Sequence, residues 1–97
     1  MSAAIVTGGL QLLEAAEAAL DLERAADETD NVYARSCYRE AREAAILAFV
    51  NQRAAAKVMA GDIEPADYDR ERLDARREIE AEIARLREEA SDERTQG

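Results

Sequence analysis

A chain of 97 residues with a formal net charge of −9, 47% hydrophobic residues, one phenylalanine and three tyrosines forms one domain, or part of one completed by a partner. Its aliphatic content is too high for a wholly disordered chain, and one proline with four glycines argues against a loop-rich β sandwich. The absence of histidine excludes Ser-His-Asp and Cys-His catalysis and histidine-ligated zinc or di-iron, and the single cysteine, Cys37, excludes an intrachain disulfide.

Three helices are predicted, so the fold class is all-α. The first runs from about Leu10 to Asp27 and places Val6, Leu10, Leu13, Ala16 and Leu20 on one arc. Gly8 and Gly9 precede it, so residues 1–9 read as a flexible arm. Thr29 and Asp30 are the candidate N-caps of the next helix, because their side-chain oxygens can accept from the orphan amides of its first turn.

The second helix is predicted from about Asn31 to Ala60, with Gly61 as its C′ residue. Thirty residues make a rod of roughly 45 Å, longer than a compact domain of this size is wide. Its centre, Ala44 to Val50, is apolar on every side and must be covered on every side, which points to a homo-oligomer. Pro65 fits the first turn of a third helix, ending near Ala90. There Tyr68, Ala75, Ile79, Ile83, Leu86 and Ala90 form a narrow stripe flanked by charge, in the manner of a coiled-coil seam. Pairs at i,i+3 (Asp67–Arg70, Asp69–Arg72, Asp74–Arg77, Glu82–Arg85) should line its surface. Residues 10–90 thus read as a single three-helix domain: an antiparallel hairpin with a long second helix, then a charged, coiled-coil-like third. Residues 91–97 read as a disordered tail.

Cys37 is expected to be a small half-buried filler, and Tyr33 and Tyr68 to be core or interface anchors, with Tyr38 exposed. No apolar run reaches the roughly 18 residues of a membrane span, and the N-terminus lacks the pattern of a signal peptide. The expectation is a soluble cytoplasmic protein with no membrane partner. Net negative charge also disfavours nucleic acid.

The most specific chemical pattern is a pair of acidic doublets, Glu14/Glu17 and Glu40/Glu43. A hairpin turning near Thr29 would bring them to one height, where four carboxylates suit a hard divalent cation. Glu17 falls between Leu13 and Leu20, and Glu40 shares an arc with Tyr33, Ala44 and Leu47. Both lean toward the core on this reading, where an unpaired carboxylate is costly. The arrangement resembles the all-α nucleotide pyrophosphatases of the MazG type, which hold magnesium between two such motifs. That resemblance covers Glu14 to Val50 and implies a magnesium-dependent hydrolase using the four glutamates. The second motif here reads Glu40-Ala-Arg-Glu43, where the family usually ends it in aspartate. The competing reading pairs Glu17 and Glu40 with arginines across a helix interface, with no cofactor.

Arg35, Arg39, Arg42, Arg53 and Lys57 cluster on one arc of the second helix. Such a stripe can track phosphates, but it has no interleaved aromatics, and acidic first and third helices offer it internal partners. Residues 1–30 carry 1 basic and 7 acidic groups (−6), residues 31–61 carry 5 and 2 (+3), and residues 62–97 carry 7 and 13 (−6). A basic helix between two acidic ones favours ion pairing within the assembly.

The functional expectation is a non-enzymatic, oligomerising interaction module: an adaptor, assembly factor or inhibitor of a larger complex, of the kind phages and mobile elements encode. Ile46, Leu47, Phe49 and Val50, with Ile79, Ile83 and Leu86, would form the contact between copies. A second protein would meet the acidic third helix. The alternatives are the magnesium-dependent hydrolase and an acidic mimic of nucleic acid.

Overall fold

The computed structural model describes the backbone of residues 11–96 and the side chains of residues 11–91. The arm expected over residues 1–9, with Val6 and Leu10, lies outside the described residues. Within them the chain is helical, without a strand: α1 (Leu12–Glu28), α2 (Val32–Met59), a 3₁₀ turn (Pro65–Asp67) and α3 (Tyr68–Gln96). α3 continues past Ala90 to Gln96, through the stretch read as a tail. Nothing from Ser91 to Gln96 breaks a helix, and the next glycine is Gly97.

Each boundary has a local cause. Asn31 caps α2, its Oδ1 accepting from the Ala34 amide at 2.9 Å. The sequence favoured Thr29 or Asp30 for this role. Thr29 instead ends α1 in an extended conformation, and its Oγ1 accepts from the Asn31 amide at 3.2 Å, closing the connection. At the far end, the Gly61 amide donates to Val58 O and the Asp62 amide to Lys57 O, the two bonds of a Schellman motif. That motif needs a left-handed residue, and Gly61 supplies it at φ 81°. Pro65 opens the 3₁₀ turn that leads into α3, with the Asp67 amide donating to Glu64 O at 2.8 Å.

All three helices touch one another. Between α1 and α2 the partners come in reverse order, Arg35 with Ala26 and Arg42 with Glu23. Between α2 and α3 they do so again, Lys57 with Glu71 and Arg53 with Glu78. Arg87 of α3 returns to Glu23 of α1. The result measures 45 × 33 × 25 Å, with its long axis close to the roughly 42 Å of a 28-residue helix.

The core contains no buried polar group among the described residues. α1 contributes mostly alanine (Ala15, Ala16, Ala19, with Leu20), while the large fully buried side chains come from its neighbours: Ile46 and Phe49 of α2, Ile79 and Ile83 of α3. Small residues let α1 approach closely and give four bulky side chains a flat wall to pack on. This corrects the face expected for α1. Leu13 is 45% exposed and Leu12 packs at the core edge, so the buried arc is turned by about one residue's 100° from the Leu13–Leu20 line. The third-helix stripe was correctly read, with Ala75, Ile79 and Ile83 buried and Leu86 packed against them.

Because Ala16 is fully buried against this wall, Ala16→Leu should overfill the core. A loss of about 1–3 kcal/mol in unfolding free energy, measured by urea titration, is expected. An exposed control, Ala18→Leu, should change it by no more than about 0.5 kcal/mol.

Candidate functional site

The four acidic-doublet residues are not brought together. Among the described residues, no group of three or more possible metal ligands converges. Glu14, Glu17, Glu40 and Glu43 are all exposed. The inward lean expected of Glu17 and Glu40 is wrong, and for one reason. With α1 turned onto its alanine face, Glu17 points away from the core, and the arc of Tyr33, Glu40 and Ala44 is the side of α2 opposite Ile46. Glu43 pairs instead with the Arg76 guanidinium of α3. Neither Glu17 nor Glu40 has an arginine partner among the described residues.

The basic stripe of α2 is used inside the fold. Arg35 donates from Nε to Ala26 O (3.2 Å) and from Nη2 to Thr29 O (2.8 Å). It thereby satisfies carbonyls at the C-terminal end of α1, whose last turn has no basic residue of its own. Arg42 reaches Glu23 (3.2 Å) and Glu80 (3.5 Å). Arg53 pairs with Glu78 at 2.6 Å while its guanidinium lies 4.9 Å from the Phe49 ring centroid. Lys57 pairs with Glu71 at 2.7 Å. Only Arg39 remains exposed, beside a shallow groove lined by Val32, Ser36, Glu40 and Glu43. All four i,i+3 pairs expected on α3 form.

Glu23 is the meeting point of this network. Arg87 of α3 grips it with two bonds, Nε to Oε2 at 2.7 Å and Nη2 to Oε1 at 2.6 Å, while Arg42 of α2 reaches the same Oε1. One carboxylate therefore ties all three helices through a bidentate, charge-assisted contact. The Arg87 hydrogen bond holds the Glu23 carboxyl below the ordinary glutamate value, and Glu23 in turn raises the Arg87 guanidinium.

The seven residues expected to join two copies lie elsewhere than a surface. Ile46, Phe49, Val50, Ile79 and Ile83 are buried in the chain's own core, and Leu47 and Leu86 are half-buried. α1 and α3 cover the inward side of the Ala44–Val50 band, and only small residues such as Ala44 and Ala48 face out. The band therefore does not need a second copy to cover it. Cys37 is exposed rather than half-buried, and Tyr33 is 79% exposed rather than an anchor in the core.

Sequence reasoning missed the apolar surface that is present. Met59 is 87% exposed and, with Ala55, Val58, Pro65 and Tyr68, walls a cleft of about 320 Å³ where α2 ends and α3 begins. Its signal was the apolar pair Val58-Met59 next to the helix stop at Gly61. No helix of the described residues is long and apolar enough to cross a membrane. No family model, curated protein or solved structure matches this chain.

The lowered Glu23 value fixes the sign of its pH dependence. Its contribution is present above the unfolded value of about 4.5 and is lost as pH falls through the lower folded value. Glu23→Gln should therefore cost about 1 kcal/mol at pH 7, a figure discounted for partial exposure. The gap between wild type and variant, read by urea unfolding, should close as pH falls below about 4.5.

Proposed function

We propose that this chain is a non-enzymatic helical interaction module, an adaptor, assembly factor or inhibitor that works by presenting a surface. One observation carries the reading. The two most exposed large apolar residues, Tyr33 and Met59, share the outward side of α2, while the basic groups of that helix other than Arg39 are engaged across its inward side. Met59 stands beside an apolar cleft and Tyr33 at the opposite end of the helix, and both are residues a protein-binding surface uses, since both bury much area and methionine adapts its shape. The foreseen contact through the acidic third helix has weaker support, because many of its carboxylates already face arginines.

The rival magnesium-dependent hydrolase would need its four glutamates to converge. They are exposed and spread over two helices, with Glu43 engaged by Arg76.

In extract of its native cells, the chain should elute in a complex larger than itself, and Tyr33→Glu should release it. Elution of wild type as the free chain would contradict the proposal. A complex that ignores Tyr33→Glu and dissolves steeply with salt would place binding on the acidic faces instead. Nucleotide turnover in millimolar magnesium, lost in Glu40→Gln, would establish the hydrolase.

A further inference from the structure

On α2, successive positions lie 100° apart, and every charged residue except Glu40 falls within about 60° of the fully buried Ile46. The opposite arc, from Tyr33 to Met59, has no charged residue of α2, in a chain of which 36% is charged, and the Arg72 guanidinium of α3 reaches its edge at Asn51 (2.8 Å). Apart from one unlike pair, Ala41 and Asn51, this face is also symmetric about residue 46. Tyr33 and Met59 stand thirteen residues to either side of it, Cys37 and Ala55 nine, and Ala44 and Ala48 two. Bulk sits at both ends and alanine in the middle.

A face with that symmetry complements itself. If two α2 helices run antiparallel with a two-fold axis at residue 46, position i of one meets position 92 − i of the other. Ala44 then lies over Ala48 of the second copy, which allows the axes to approach within about 8 Å. At each end, an exposed tyrosine ring comes level with the cleft of Ala55, Val58, Met59, Pro65 and Tyr68. The phenol ring can enter that apolar cleft against the Met59 thioether, a favourable sulfur–aromatic contact.

We propose that the outward face of α2 is the interface of a two-fold homodimer, in which Tyr33 of each copy fills the cleft beside Met59 of the other. The proposal names the partner for the interaction face described above and rests on that reading. A second copy fits for electrostatic reasons as well as shape. Each chain carries −9, so like copies repel unless they meet away from the acidic helices. The outward side of α2 is that place, with no carboxylate on the arc between Tyr33 and Met59 and backed by the one basic segment. A face about 42 Å long and roughly 15 Å wide offers on the order of 600 Å² per copy, at the low end of specific interfaces, so the dimer should be micromolar rather than nanomolar.

Sedimentation equilibrium of the full chain between about 10 and 200 μM tests this. Wild type should approach twice its 10.7 kDa mass, and Ala48→Glu should stay at 10.7 kDa with an unchanged helical circular-dichroism signal. Ala84→Glu, on the exposed side of α3, should behave as wild type. Register is read by oxidising wild type, whose thiol is Cys37, together with a chain carrying Cys37→Ser and Ala55→Cys. The mixture should yield a disulfide-linked heterodimer, while either chain alone should not, since equivalent positions would sit about 27 Å apart along the axis, beyond disulfide reach. A wild-type monomer at 200 μM, dissociation by Ala84→Glu as complete as by Ala48→Glu, or a homodisulfide from either chain alone would each overturn the proposal. A pure chain that stays monomeric yet forms a Tyr33-dependent complex in extract would overturn the homodimer and leave the interaction module standing.

Discussion

The fold depends on packing four large side chains against a wall of alanines. Ile46, Phe49, Ile79 and Ile83 are fully buried, and Ala15, Ala16 and Ala19 of α1 give them a surface to close on. A chain with one phenylalanine and no tryptophan has few ways to make a core. Larger residues on α1 would hold it off and leave voids beside α2 and α3, and voids in a core this thin cost a large fraction of total stability. The alanine face therefore decides how close the three helices sit. That distance in turn brings the ionic side chains at their edges within reach of each other.

Electrostatics then selects which helix edges meet. The segment spanning α2 carries +3 between neighbours at −6 each, and four of its five cations, all but Arg39, are directed at those neighbours rather than at solvent. Exposed pairs of this sort contribute only about 0–1 kcal/mol each, so their role is to fix register. Glu23 is the exception in geometry, because it is shared by Arg42 and Arg87 and so reports on all three helices at once. Arg35 has a different task, closing the carbonyl end of α1 across the turn.

The all-helical class, the stop at Gly61, the start at Pro65, the buried stripe of α3 and its four i,i+3 pairs were legible in the sequence. Each rests on local chemistry or on a strong period: a left-handed glycine, a proline without an amide, isoleucines spaced four apart. The faces of α1 and α2 were not legible, because alanine is ambiguous. A wheel weighted toward leucine put Leu13 inside and Glu17 with it, whereas the fold buries Ala15 and Ala19 and turns both out. The same ambiguity made the Ala44–Val50 band look apolar all round, although its outer half is alanine that tolerates water. The acidic doublets lost their meeting point by this rotation alone. The cleft at Met59 was hidden for another reason, since it depends on how α3 leaves the turn after Gly61.

With the core closed within one chain, the outer side of α2 becomes surface that α3 meets only at its edge, where Arg72 bonds Asn51. The measurement that bears most directly on this account is the thermal unfolding midpoint of Ala48→Glu over a hundredfold range of concentration. If Ile46, Phe49 and Val50 are covered by α1 and α3 of their own chain, unfolding stays cooperative and the midpoint does not move. A midpoint that climbs with concentration would show a core shared between copies and contradict it.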